Sequence, residues 1–123
     1  MSDFARQFED LRIWREARVQ AANVYRDFGI GQPSERDFGF RDQIQRAGVS
    51  VMNNIAEGFE RRSPAEFAHL LNIAKGSCGE IRSMLYLAED LNYLTLETVQ
   101  HRRESALQLS KGIESLAKSL RDK

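Results

Sequence analysis

Cysteine occurs once in this 123-residue chain, at Cys78, which excludes an internal disulfide framework. Proline occurs twice, at Pro33 and Pro64, so long stretches run without a helix breaker. Two histidines leave little for acid–base or metal chemistry. Charge of one sign is lacking too: 18 basic residues face 18 acidic ones, whereas a dedicated nucleic-acid binder carries a basic excess or a dense basic stripe. Any nucleic-acid role is therefore local. No run approaches the roughly 18 apolar residues of a membrane span, so no membrane role is expected. The N-terminus MSDFARQFED has no apolar signal core, and the cytoplasm is the expected location. A chain of this length suits one domain, residues 1–123, that buries roughly two-thirds of its unfolded surface.

What is present is a recurrence of apolar residues at intervals of three and four, which predicts an all-helical fold. The first segment, about 9 to 28, aligns Leu11, Trp14, Ala17, Ala21, Tyr25 and Phe28 and ends at the turn GIGQP. The second, about 34 to 59, has Ser34 as expected N-cap and Phe40, Ile44, Ala47, Val51 and Ile55 on one face. In SPAE, Ser63 can cap a third helix, Pro64 suits its first position and Glu66 completes a capping box. Phe67, Leu70, Leu71, Ala74, Cys78, Ile81, Leu85 and Ala88 form its stripe, which fades at residues 92–94. A fourth helix after Thr95 carries Val99, Ala106, Leu109, Ile113, Leu116, Ala117 and Leu120. Short connections between long helices predict an antiparallel up-down-up-down four-helix bundle.

The stretch SVMNNIAEGFERRS departs from a plain core stripe. On a wheel of about 100° per residue with Val51 at zero, Gln43, Arg46, Ser50, Asn54 and Glu57 cluster on one flank. Val49, Met52 and Ala56 form an apolar back, where a solvated helix would be polar. In the third helix Asn72, Gly76, Gly79 and Ser83 align as a ridge of small residues away from the core. Interior glycines cost roughly 1 kcal/mol each relative to alanine, a cost that close approach of another backbone offsets. The simplest such partner is a second copy of the chain, so Val49, Met52, Ala56, Gly76, Gly79 and Ser83 are the expected oligomer contacts.

If the second and third helices form a hairpin turning near residues 62 and 63, residues whose numbers add to about 125 share a height. Arg46 then meets Glu80, and Glu57 lies near His69. The expected polar seam joins Gln43, Arg46, Ser50, Asn54 and Glu57 to Ser77 and Glu80, with Arg46 and Glu80 as a desolvated ion pair that sets register more than it adds stability. Gly58 is expected to let the chain leave the helix beneath Phe59.

QIQRAGVSVMNNIAEGFERRS followed by EFAHLLNIAKGSCGEI resembles the four-helix-bundle family named for the 23S rRNA intervening-sequence protein, also labelled S23. The matching positions are Gln43, Ile44, Arg46, Ala47, Ser50, Asn54, Ile55, Ala56, Glu57, Gly58 and Arg62, then Glu66, Phe67, Leu71, Ile73, Ala74, Gly76, Ser77 and Glu80. Met52 stands where the family pattern has proline and Gly48 where it has alanine, and the first change predicts a straighter second helix. The resemblance implies a homopentamer of four-helix subunits around a central channel. It also implies relatives that serve diversity-generating retroelements as accessory proteins, binding a reverse transcriptase and nucleic acid through basic surfaces. This chain lacks their basic excess.

Catalytic signals are thin. Glu66 and His69 have the E-x-x-H spacing of di-iron bundles, but the second E-x-x-H that such centres need is missing. Cys78 sits mid-stripe as a small core residue, and GIG at 29 to 31 is a turn. The expected protein has no catalytic, cofactor or metal site. It is a homo-oligomeric scaffold or adaptor that presents a surface to a protein partner. The alternative is an RNA- or DNA-binding accessory protein using Arg61, Arg62, Arg102 and Arg103.

Overall fold

Three of the four long helices begin where a short polar side chain captures a free backbone N–H, and the first begins at Leu11 without one. In the computed structural model, which describes residues 5–122, α1 is Arg12–Asp27, α2 Phe38–Glu60, α3 Pro64–Asp90 and α4 Leu96–Arg121. Ser63 accepts from the Glu66 amide and Thr95 from the Thr98 amide, so α3 and α4 start where their caps predict. The Glu66 carboxylate, assigned to a capping box, lies 3.6 Å from the Arg61 guanidinium. The cap of α2 is Asp37, which accepts from Phe40 N–H at 3.2 Å; Ser34, the expected cap, is buried in the preceding turn. An Asp three residues downstream won because an ionised acceptor suits the positive helix end better than a hydroxyl. Before α1, Phe8–Asp10 forms a 3-10 turn whose Phe8 ring packs edge-on against Trp14.

The helices form a four-helix bundle in which each packs on the next and α4 returns to α1. The α2–α3 and α3–α4 seams are extensive, whereas α1 lies on α2 and touches α4 more lightly. All five expected α2 core residues, Phe40, Ile44, Ala47, Val51 and Ile55, are buried. So are Leu71, Ala74, Cys78, Ile81, Leu85 and Ala88 of α3, with Ala68 buried beside half-buried Phe67 and Leu70. In α4, Val99, Ala106, Leu109, Ile113 and Ala117 are buried while Leu116 and Leu120 pack at the margin. The α1 stripe is rotated from expectation: Ile13, Ala17, Ala21 and Val24 face inward, and Tyr25 is exposed. Val24 and Tyr25 are adjacent, and the smaller branched side chain suits the tight α1–α2 contact.

The approaches of α2 to α1 and to α3 both depend on glycine. A Cβ at Gly48 would lie 3.3 Å from the Ala21 Cα, which brings α1 against α2. A Cβ at Gly58 would lie 2.7 Å from Phe67 Cδ1 and 3.3 Å from Leu70 Cβ. Gly58 is therefore a packing residue inside α2, two residues before its end, and not the exit expected from the sequence. Helix α2 is continuous through Met52. At the far end of the bundle the α1–α2 loop, which turns at Gly31 with φ 85°, meets the α3–α4 turn. Phe28, Phe40 and Tyr93 stack edge-to-face there at 5.1 and 5.3 Å, and Tyr93 Oη donates to Asp37 Oδ2 at 2.6 Å.

Candidate functional site

The polar cluster of α2 meets α3 as a hydrogen-bonded seam. Ser50 and Ser77 hydroxyls lie 2.8 Å apart, Asn54 Nδ2 donates to Ser50 O at 2.9 Å and to Ser50 Oγ at 3.1 Å, and Gln43 Nε2 donates to Glu80 Oε2 at 2.9 Å. These pairs have the height relation of a hairpin turning near residue 62. Arg46 is not in the seam: its side chain is 80% exposed and pairs with Asp42 on its own helix at 3.3 Å. Gln43 takes the place opposite Glu80, and a short carboxamide spans that gap while a long guanidinium reaches a nearer carboxylate one turn away. Glu57 likewise turns to Arg61 at 2.7 Å rather than to His69, and Arg61 continues to Glu66, which ties α2 to the first turn of α3 through exposed charge. The Glu57 hydrogen bond chiefly raises the Arg61 pKa.

The expected basic contacts are mostly engaged. Arg102 forks onto Asp27 at 2.7 and 3.2 Å, and that bond chiefly raises its pKa. Arg103 donates to Glu89 at 2.7 Å and lies 4.1 Å from the Tyr86 ring centroid. Both arginines are interhelix ties, of α4 to α1 and of α4 to α3. Arg62 is exposed and forms no ion pair among the described residues.

The expected oligomer contacts form two separate faces. Ser50 against Ser77 places the seam flanks of α2 and α3 together, so their opposite flanks diverge. The α2 flank runs toward α1, as Gly48 against Ala21 records, and the α3 flank toward α4, as Lys75 with Glu114 and Tyr86 with Arg103 record. Val49, Met52 and Ala56 are half-buried on the first; Met52 also packs against the core. Gly76 and Ser83 are exposed and Gly79 half-buried on the second, with nothing within 4 Å of a Cβ built at either glycine. Cys78 is buried and donates its thiol to Ala106 O at 3.3 Å, and burial pushes its pKa up, which opposes a nucleophilic role.

A cavity between α1 and α4 was not legible in the sequence. It is a half-open cleft of about 640 Å³ over a floor of Val24, Ile81, Leu85 and Leu109, with Gln20, Asn23, Ser105 and Gln108 on its walls. Hydrophobic periodicity marks the faces that helices bury, and here α1 and α4 stand apart between two points of contact. Among the described residues no three Asp, Glu, His or Cys side chains cluster as metal ligands, and no helix is long and apolar enough to cross a membrane.

Continuous core stripes, a hydrogen-bonded hairpin seam and a lightly closed α1–α4 side define an all-α four-helix bundle held chiefly by its α2–α3 and α3–α4 seams. The chain belongs to the 23S rRNA-intervening sequence protein family, whose pattern matches residues 9–115. It is similar in structure to a protein of unknown function from the S23 ribosomal protein family of Bacteroides thetaiotaomicron. The two share 26% identity over 86% of this chain and 95% of that one, with a TM-score of 0.78. No curated protein matches it. Neither similarity names an activity.

Proposed function

We propose that this protein is a non-catalytic, ring-forming homo-oligomer that acts as a scaffold or adaptor for a protein partner. The observation that carries this reading is the pair of unlike faces on either side of the α2–α3 pair. A two-fold dimer buries the same patch twice, but a ring is closed by a heterologous contact between two different patches. The apolar back of α2, Val49, Met52 and Ala56, offers one half of such a contact. The Gly76, Gly79 and Ser83 ridge of α3, with open space above both glycines, offers a surface that a neighbouring helix can approach closely. Five subunits is the number the family resemblance implies. An adaptor role is supported by the loop end of the bundle, where Ile30 is 85%, Phe38 71% and Leu96 55% exposed, an apolar set that a solvated monomer has no use for. The carboxylate partners of Arg61, Arg102 and Arg103 weigh against a phosphate-binding surface.

Multi-angle light scattering at micromolar concentration is expected to return a closed oligomer of five protomers. Gly79→Leu should shift it toward smaller species with helix content retained, because it fills the approach without touching the core. A monomeric wild-type protein would refute the proposal.

A further inference from the structure

The half-open cavity between α1 and α4 has the size and chemistry of a small-molecule site and is bounded at both ends. At one end Arg102 and Asp27 clamp the two helices with a forked ion pair whose side chains are 26% and 13% exposed. At the other, Ile13 Cγ2 sits 3.0 Å from where a Cβ of Gly112 would be, so the helices touch. Between those closures α1 runs from Ile13 to Asp27, about 20 Å at 1.5 Å per residue. A partner helix, roughly 10 Å across, needs an open-ended trough and would have to break the ion pair. A compact molecule needs no such change, and about 640 Å³ falls within the common range of ligand cavities.

The lining selects against charge. Arg102 and Asp27 satisfy each other, as do Arg12 and Glu16 at 3.2 Å. Glu104 accepts from Gln108 at 2.9 Å, and Arg15 donates to the Glu9 carbonyl at 2.9 Å. Arg15 and Glu104 are held by neutral partners, the exposed His101 also stands on the lining, and the floor is aliphatic. Arg12, Arg15 and Arg102 balance Glu16, Asp27 and Glu104 around the lining, so a charged ligand would lose its hydration over the aliphatic floor without a field of one sign to replace it.

One polar atom is unmatched. Gln20 lines the cavity, and its Nε2 donates to Cys78 Sγ at 3.8 Å. The single thiol proton of Cys78 goes to Ala106 O, so the sulfur can only accept from Gln20, which fixes the carboxamide orientation. Gln20 Oε1 is thereby left buried without a hydrogen-bond partner among the described residues. An unpaired buried acceptor is costly, and the long bond to sulfur is a weak tether, so a modest rotation of the carboxamide offers Oε1 to an occupant. We infer that the α1–α4 cavity binds an uncharged, largely apolar small molecule that donates one N–H or O–H to Gln20.

N-phenyl-1-naphthylamine is a neutral, apolar fluorophore with one N–H donor and serves as the probe. Titration of the intact protein is expected to give saturable fluorescence enhancement. 1-Phenoxynaphthalene, of the same shape with an ether oxygen in place of the N–H, should compete about fivefold less well. Gln20→Leu should bind both probes equally. Ser105→Phe, which fills the cavity from the exposed α4 rim, should weaken binding about tenfold or more, while Ser115→Phe, exposed outside the cavity, should not. Absence of saturable binding overturns the inference, as does equal binding by wild type and Ser105→Phe. Undiminished preference for the N–H probe in Gln20→Leu overturns the role of Gln20 and with it the inference.

Discussion

Gly58→Ala tests the close packing of α2 on α3. Alanine is worth about 1 kcal/mol more than glycine in a helix interior, so propensity alone predicts stabilisation. The added Cβ, however, would lie 2.7 Å from Phe67 Cδ1, about 1 Å inside the usual 3.5–4.0 Å carbon–carbon separation. Phe67 cannot retreat freely, since its ring stands edge-to-face with Phe59 at 6.1 Å and 89°. On the second side Leu70 Cβ is at 3.3 Å, and that atom moves only with the α3 backbone. Overpacking of this kind costs about 1–3 kcal/mol, leaving a net loss of about 1 kcal/mol after the propensity gain. In a chain of this length that lowers Tm by roughly 3–5 °C. Gly39→Ala is the control, because nothing lies within 4 Å of a Cβ there; it should be neutral to stabilising by up to about 1 kcal/mol. Thermal or urea unfolding at one fixed protomer concentration reads both, since assembly would otherwise contribute. If Gly58→Ala stabilised the protein as much as Gly39→Ala does, the close α2–α3 approach would be wrong.

In the seam, Ser50→Ala should cost about 1 kcal/mol and the Ser50→Ala, Ser77→Ala double variant less than the sum of the singles, because removing both hydroxyls leaves neither without its partner while Asn54 Nδ2 keeps the Ser50 carbonyl. Arg46→Ala should fall within about 0.5 kcal/mol of wild type in the same unfolding assay, and a loss of several kcal/mol would place the arginine back in the seam. A double-mutant cycle with Arg102→Gln and Asp27→Asn should return a coupling of about 1.5–3 kcal/mol, whereas additivity would make the forked pair incidental. The Tyr93 hydroxyl, followed by the Phe40 amide, lowers the Asp37 pKa, while the Asp37 carboxylate raises that of Tyr93. A depressed carboxyl pKa contributes stability that is present above its unfolded value and lost as pH falls through the folded one, below about pH 4. A raised tyrosine pKa contributes stability present below about pH 10 and lost as pH rises through the folded value. Tyr93→Phe should therefore flatten the dependence of the urea midpoint on pH at both limbs, and an unchanged acid limb would show that the hydroxyl is not what holds Asp37 ionised.

The sequence by itself determined the helices and most of what they bury. Core stripes such as Ile44, Ala47, Val51 and Ile55 repeat at helical spacing, and a cap such as Ser63 acts on an amide three residues away, so both are local and written in order along the chain. The hairpin register follows from the short α2–α3 connection, which puts Ser50 and Ser77 in one seam and sets Glu80 against the α2 flank. Tertiary structure decided which long side chain used that register. By height along the hairpin either Arg46 or Gln43 could face Glu80, and only the packed structure, with Asp42 one turn from Arg46, assigns the contact to Gln43. It likewise decided that Gly58 serves Phe67 rather than a chain exit, and that Arg102 and Arg103 are bound by Asp27 and Glu89, which lie 75 and 14 residues away. The α1–α4 cavity belongs wholly to the tertiary level, because periodicity records the faces helices bury and is silent on how tightly two neighbours close.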